Sequence, residues 1–94
     1  MTTAEIRMIS PDERQHPQPM AQLCADVFSE GKYVDGYRDN YIGNSHYDWN
    51  VSRIVLEGDK LIHHWGVWGY PMRVEAVQLK VAGIGAVATH PDFR

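Results

Sequence analysis

The feature that most constrains this chain is an apolar run over residues 79–89, which ends at the dipeptide His90-Pro91. Val, Ile and Ala fill the run, and an apolar stretch of this length that is bounded by a proline is typical of a buried β-strand. Gly83 and Gly85 lie inside it, and glycines within a strand indicate a β-bulge or the close approach of another backbone. The sequence therefore predicts a final strand that is irregular near its glycines.

The composition excludes several classes of protein. The chain has 94 residues, enough for one domain at most, and a chain this short buries only a modest fraction of its surface. Its hydrophobic share of 44% and charged share of 22% are ordinary for a globular protein and argue against disorder. The net charge of -3 gives no electrostatic support for a nucleic-acid partner or an acidic membrane surface. No apolar run reaches the roughly 18 residues of a membrane span.

The cysteine content and the start of the chain bear on its location. Cys24 is the one cysteine in the sequence, which excludes an internal disulfide and suits the cytosol. Residues 1–7 lack the basic region and apolar core of a signal peptide. We therefore expect a cytoplasmic protein with no nucleic-acid or membrane partner.

A helix with a clear apolar stripe is predicted after a short first strand. Its apolar residues recur at helical spacing, at Met20, Leu23, Cys24, Val27 and Phe28. The pattern predicts a helix that begins near Pro19, ends at Gly31 and packs its stripe in the core. Cys24 lies within the stripe and is predicted to be a small buried hydrophobe rather than a nucleophile. A second, weaker helix is predicted over residues 32–43, where Gly36 weakens the pattern.

From residue 51 the pattern becomes that of β-strands. The predicted strands are residues 4–9, 51–57, 60–68, 72–74, 77–81 and 83–89. Gly58-Asp59 has the form of a two-residue hairpin turn, and Tyr70-Pro71 is predicted to break the strand that precedes it. A further turn is expected near residues 75–76. The chain is therefore predicted to be α+β, with one or two helices after the first strand and then an antiparallel meander.

The end of the chain resembles a known family motif. The residues concerned are Val87-Ala88-Thr89-His90-Pro91-Asp92-Phe93-Arg94. They resemble the central motif of the GNAT superfamily of acetyl-CoA-dependent N-acetyltransferases, in which a strand carrying V-A-x-x-P-x-x-R leads into a glycine-rich loop that holds the pyrophosphate of acetyl-CoA. Here only the opening Arg94 of that loop is present. The resemblance implies that residues 1–94 form the N-terminal part of a single GNAT-like domain, a half-domain without its C-terminal half.

The same resemblance implies a cofactor site. In the family, a bulge splays the motif strand from its neighbour, the main chain pairs with the pantetheine arm, and an amide at the bulge holds the thioester carbonyl. The matching positions are Val87, Ala88 and Thr89, and Arg94 corresponds to the first residue of the pyrophosphate loop. Acetyl-CoA is thus the implied co-substrate.

Aromatic residues and a histidine are the candidates for an acceptor pocket, because such pockets are mostly apolar and aromatic. The candidates are Tyr33, Tyr37, His64 and Trp65, and core packing is the alternative for each aromatic residue. His63 and His64 are consecutive on a predicted strand and face opposite sides, so they cannot easily share a metal ion. No metal site is predicted, since no cluster has zinc spacing. One of these histidines, His90 or Glu75 could act as a base, and the sequence assigns neither a base nor an acid.

Two functions remain open at this level. The first is an acetyl-CoA-dependent N-acetyltransferase fragment, whose parent domain transfers an acetyl group to a small-molecule or peptide amine by direct attack on the thioester. The alternative is a non-enzymatic α+β module that associates through its open sheet edge. In either case we expect this piece to form homo-oligomers or to be completed by further chain.

Overall fold

The computed structural model describes residues 5–74 and 77–93, and for residues 71–74 and 77–81 it describes the backbone alone. In this part of the chain, helices pack on a four-stranded antiparallel sheet in the order β1-β2-β3-β4. The strands are β1 (Ile6–Ile9), β2 (Arg53–Glu57), β3 (Lys60–Val74) and β4 (Val77–Thr89). This arrangement confirms the predicted α+β class. None of the helices in the described ranges is long and apolar enough to cross a bilayer.

Helix α1 (Pro17–Phe28) presents the predicted apolar stripe to the sheet. Met20, Leu23 and Cys24 are buried, which confirms the predicted core role, whereas Phe28 is 52% exposed and lies outside it. The helix begins at Pro17 rather than near Pro19, because a proline in the first helical turn gives up an N–H that would have no partner there.

The predicted second helix is present in two parts. Helix α2 (Val34–Gly36) continues directly into a π-helical turn (Tyr37–Ile42). The N–H of Gly43 closes this turn by donating to the carbonyl oxygen of Arg38 at 2.8 Å. A Cβ at Gly43 would come within 2.8 Å of the carbonyl oxygens of Arg38 and Asp39, so the wide turn can close only at a glycine.

The hairpin of β3 and β4 is longer than predicted. The break expected at Tyr70-Pro71 is wrong, since β3 runs on to Val74 and pairs Pro71 with Lys80. Beyond Trp65, β3 is no longer paired with β2, so a proline there costs no ladder hydrogen bond on that side. The turn expected near residues 75–76 lies outside the described residues.

The same continuity corrects the number of strands. The segments predicted separately over residues 77–81 and 83–89 form one strand, β4. The turn at Gly58-Asp59 between β2 and β3 is confirmed.

The core lies between the sheet and the helices. Its buried members come from α1, the π-helical turn, the following loop and three strands: Met20, Ala21, Leu23, Ile42, Tyr47, Ile54, Leu56, Leu61, Trp68 and Ala88. Trp68 and Ala88 belong to the long hairpin, so the core reaches directly to the final strand.

Candidate active site on the final strand

A β-bulge interrupts the pairing of β3 with β4. His64 pairs with Ala88 and Gly66 pairs with Gly85, so Ala86 and Val87 together lie opposite Trp65. Ala86 has a φ of +49°, in the left-handed region that costs an L-residue about 1–2 kcal/mol. A bulge was predicted from Gly83 and Gly85, but the left-handed residue is the alanine that follows them.

The bulge exchanges the faces on which β4 places its side chains. Before it, a Cβ at Gly85 would point at the ring of Trp68, on the core side of the sheet. After it, Ala88 lies on that core side and is 1% exposed, whereas Val87 is 51% exposed. In a regular strand residues 85 and 87 would share a face, so the inserted residue is what brings Ala88 into the core.

The glycines of the hairpin make room for Trp68. A Cβ at Gly66 would lie 2.7 Å from the Trp68 ring and 2.8 Å from the His64 ring, and one at Gly85 would lie 3.3 Å from the Trp68 ring. The close approach predicted for the glycine run is therefore confirmed for Gly85, but the approaching group is an indole ring rather than a backbone. The Trp68 ring also donates from Nε1 to the carbonyl oxygen of Tyr41 at 3.0 Å.

His64 joins the bulge to the core. It is completely buried, with Nδ1 at 2.9 Å from the carbonyl oxygen of Ala86 and Nε2 at 2.8 Å from the hydroxyl of Tyr47. A carbonyl oxygen can only accept, so Nδ1 carries the proton and Nε2 accepts from Tyr47. Burial lowers the pKa of His64, and the neighbouring His63 acts in the same direction, which keeps the ring neutral.

Tyr47 shares this buried environment. It is 5% exposed, and burial raises its pKa to about 12, so its hydroxyl keeps the proton that it donates. Trp68 contacts the Tyr47 ring edge-on, with ring centroids 5.1 Å apart. Because His64 Nε2 carries no proton, the Tyr47 hydroxyl is the donor in this contact.

The strand remains anchored to β3 beyond the bulge. His63 Nδ1 lies 2.9 Å from the hydroxyl oxygen of Thr89, and the N–H of His90 donates to the carbonyl oxygen of Ile62 at 2.7 Å. A short 3-10 turn (Pro91–Phe93) follows. Arg94, the predicted start of a pyrophosphate loop, lies outside the described residues.

A cleft of about 400 Å³ opens beside the part of β4 that precedes the bulge. It is lined by Asn40, Tyr41, Asn44, Trp68, Tyr70 and Ile84, together with Gly83 and Gly85. The lining consists of aromatic rings, an aliphatic side chain and two neutral amides, without a charged group. The cleft reaches Gly85, the residue immediately before the bulge.

The structure does not gather the four predicted acceptor-pocket residues in that cleft. Tyr33 is 73% exposed, and Tyr37 is half-buried against the core. His64 is buried, and the half-buried Trp65 follows it on the strand and so faces the opposite side of the sheet. Their contact with an acceptor stays a prediction.

Two other kinds of site, a cysteine nucleophile and a metal centre, were also considered. Cys24 is 1% exposed, and burial raises the pKa of its thiol to about 11, as expected for a small buried hydrophobe rather than a nucleophile. Within residues 5–74 and 77–93, no group of three or more His, Cys, Asp or Glu side chains is placed to hold a metal ion.

Sequence reasoning missed the residues that surround the site from a distance. Tyr41 lies within the helix predicted over residues 32–43 and Trp68 within the strand predicted over residues 60–68, and no prediction linked them or Tyr47 to the bulge. The spacing of Gly66 and Trp68 was the one available signal, since a glycine two residues from a tryptophan on the same strand face leaves room for the ring to lie over the backbone. Tyr47 lies in a loop, and no local pattern marks its partner.

Comparisons with known proteins address the fold. No protein-family model and no curated protein matches the chain. A solved structure from Enterococcus faecalis V583, a conserved protein of unknown function described as a probable N-acyltransferase, is 20% identical over 99% of this chain, with a TM-score of 0.70. A GCN5-related N-acetyltransferase from Kribbella flavida is 17% identical over 98% of this chain, with a TM-score of 0.62.

The likeness confirms the predicted GNAT-like fold. This chain covers 22% of the Enterococcus chain and 23% of the Kribbella chain, so it spans less than a quarter of the length of either neighbour. The half-domain that the motif implied stays a prediction.

Proposed function

We propose that this chain forms the N-terminal part of an acetyl-CoA-dependent N-acetyltransferase, which transfers an acetyl group to a primary amine. The observation that carries the proposal is the bulge at Ala86 and Val87 in β4. It lies in the segment whose sequence resembles the acetyl-CoA-binding strand, and β4 is at an edge of the sheet that the described residues form. The fold shared with a GCN5-related N-acetyltransferase and a probable N-acyltransferase supports the same conclusion.

The geometry of the bulge suits a thioester carbonyl. The peptide bond between Ala86 and Val87 is trans, so its N–H and C=O groups point in opposite directions. Because the Ala86 carbonyl oxygen is directed at the buried His64 ring, the Val87 N–H is directed away from that ring. We assign this N–H as the donor to the thioester oxygen and the main chain of Ala88 and Thr89 as the partner of the pantetheine arm.

The proposed reaction needs little covalent chemistry from the protein. The nitrogen of a deprotonated amine forms a bond to the acetyl carbon, and the carbon–sulfur bond breaks with its electron pair leaving on the CoA sulfur. The amine's proton passes to a base or to water. Negative charge grows on the carbonyl oxygen during attack, and a preorganised amide aimed at that oxygen stabilises it.

The cleft beside Gly85 is the proposed position of the amine. It adjoins the bulge on its N-terminal side, so a bound amine could approach the acetyl carbon while the pantetheine lies along the C-terminal side. Aromatic faces such as those of Tyr41 and Trp68 provide apolar contact, and the Asn40 and Asn44 amides provide hydrogen bonds. Arg94 is proposed to begin the phosphate site.

Calorimetric titration of the full-length protein with acetyl-CoA tests the proposal. Val87→Pro removes the bulge N–H and is expected to weaken acetyl-CoA binding, whereas Val87→Ala keeps the N–H and is the matched control. Thermal unfolding of both variants separates a lost contact from a lost fold. Failure of the wild-type protein to bind acetyl-CoA would contradict the proposal.

The amine site is tested by following release of the CoA thiol with a panel of primary amines. Tyr41→Ala should raise the KM for the amine and leave the KM for acetyl-CoA nearly unchanged. Tyr33→Ala, on an exposed residue outside the cleft, provides the comparison. If both substitutions change the KM for the amine equally, the cleft is not the amine site.

Association through the edge of β4 is the second candidate function. Ile84 and Val87 on this strand are 61% and 51% exposed, which supports pairing with a second copy of the chain. Light scattering with and without acetyl-CoA distinguishes the two uses of the strand. A shift from dimer to monomer on adding acetyl-CoA is expected if both occupy the same edge.

A further inference from the structure

The bulge takes the carbonyl group of Ala86 out of the regular hydrogen-bond pattern of the two strands. Ala86 and Val87 lie between the paired positions His64–Ala88 and Gly66–Gly85, so the Ala86 carbonyl is displaced from the regular ladder. A carbonyl that enters the core without a hydrogen bond costs about 1–3 kcal/mol. The Nδ1–H of His64 meets that requirement at 2.9 Å.

The histidine is in turn held by a second buried group. Tyr47 donates to Nε2 at 2.8 Å, and the two rings stack nearly parallel, with centroids 6.0 Å apart. This contact holds the ring in the orientation in which Nδ1–H meets the Ala86 carbonyl oxygen, which itself sets the tautomer. In the described part of the chain, no buried side-chain nitrogen or oxygen lacks a hydrogen-bond partner.

The left-handed Ala86 and the buried His64–Tyr47 pair both cost free energy of folding that a regular strand would not require. A regular strand would need neither a left-handed alanine nor a polar pair inside an apolar core. Backbone strain of this kind concentrates at sites where one particular geometry is used. The strained residue here is Ala86, whose φ is +49°.

We propose that His64 is a positioning residue for the acyl group, which acts by holding the Ala86 carbonyl so that the opposite end of the same peptide, the Val87 N–H, stays aimed at the thioester oxygen. Tyr47 supports this role by holding the His64 ring through its hydrogen bond to Nε2. The proposal rests on the proposed acetyl-CoA function, and it adds a buried side chain that never touches the substrate.

The test compares two ligands that differ in the acetyl group. Acetyl-CoA has the thioester carbonyl and CoA does not. Substitution of a residue that positions the Val87 N–H should therefore weaken the binding of acetyl-CoA and leave the binding of CoA unchanged. Affinities for both are measured by calorimetry on the full-length protein. His64→Leu is expected to lower the ratio of acetyl-CoA to CoA affinity about tenfold, the value of one well-aligned hydrogen bond.

Two further variants identify which ring nitrogen matters. His64→Asn can place an amide N–H near the Nδ1 position and is expected to restore much of the ratio, whereas His64→Gln places its amide nearer the Nε2 position and is not. Tyr47→Phe removes the hydroxyl that holds the ring and should lower the ratio about threefold. His46→Leu is the control, because His46 Nδ1 also lies 3.0 Å from a β3 carbonyl oxygen, that of Gly69, but away from the bulge.

Each outcome decides the question. An unchanged ratio in His64→Leu, or an equal loss of both ligands, would overturn the positioning role while the acetyl-CoA function stands. Should His64→Leu fail to fold, ¹⁵N NMR of the wild-type ring decides instead, since a proton on Nε2 would overturn the proposal and a proton on Nδ1 would support it. If the wild-type protein binds neither ligand, the proposed function fails and the positioning role fails with it.

Discussion

The two halves of β4 on either side of the bulge are held by different physical forces. Before the bulge, Gly85 and its β3 partner Gly66 lie beside the Trp68 ring, and shape complementarity fixes the strand. After it, hydrogen bonds from histidine side chains fix the strand, from His64 to the Ala86 carbonyl and between His63 and Thr89. The difference teaches that packing suffices where the backbone is regular, whereas a strained backbone needs directional bonds to hold it.

The largest expected effect is on the packed half. Trp68→Ala should destabilise the protein by about 3–5 kcal/mol, because it empties the space over two glycine backbones. Chemical denaturation measures the change. Trp65→Ala is the control, since Trp65 is half-buried on the opposite face, and a loss there as large as that at Trp68 would contradict the packing argument.

A smaller effect is expected from filling the glycine positions. Gly66→Ala would place a methyl group 2.7 Å from the Trp68 ring, whereas Gly85→Ala would place one at 3.3 Å. We expect Gly66→Ala to cost about 2 kcal/mol and Gly85→Ala clearly less, as measured by urea denaturation. The reverse order would show that the ring does not lie over Gly66 as described.

A substitution in the bulge itself is expected to stabilise the fold rather than destabilise it. Ala86→Gly should stabilise the fold by about 1 kcal/mol, because glycine adopts the left-handed region without the steric cost that alanine bears at a φ of +49°. The same substitution at Ala82, a β4 residue before the bulge, should destabilise because it only adds backbone entropy to the unfolded chain. Thermal unfolding distinguishes the two signs.

The smallest expected effect is that of pH on the hydrogen-bonded half. Burial lowers the pKa of His64 below its usual value of 6.5. On acidification His64 therefore becomes protonated in the unfolded chain while it is still neutral in the folded protein. The free energy of unfolding decreases as pH falls from 6.5 toward the lowered pKa. Between about pH 8 and pH 6 the loss of stability is less than about 1 kcal/mol, because pH 6 lies only slightly below the unfolded histidine's pKa of 6.5.

Denaturation at those two pH values measures the effect. His64→Leu should reduce the pH dependence, because the variant has no imidazole to protonate in the unfolded chain. A pH dependence that is as large in His64→Leu as in the wild type would contradict the role assigned to His64.

Much of the fold could be predicted from the sequence because it depends on local patterns. The stripe of α1 follows from the 3.6-residue period, and the turn at Gly58-Asp59 follows from its residue types. The apolar run of β4 likewise predicted a strand. Strand lengths were predicted less well, since the continuation of β3 through Pro71 depends on the absence of a β2 partner there, which no local pattern reveals.

The candidate site divides in the same way. By itself, the sequence determined that the final strand is apolar, interrupted by glycines and followed by a motif resembling that of the acetyltransferases, because these properties belong to consecutive residues. Only the tertiary structure decided that Ala86 takes the left-handed conformation and that His64 and Tyr47 hold its carbonyl. The physical reason is that a strained conformation is selected by partners distant in sequence, here 22 residues between His64 and Ala86 and 17 between Tyr47 and His64.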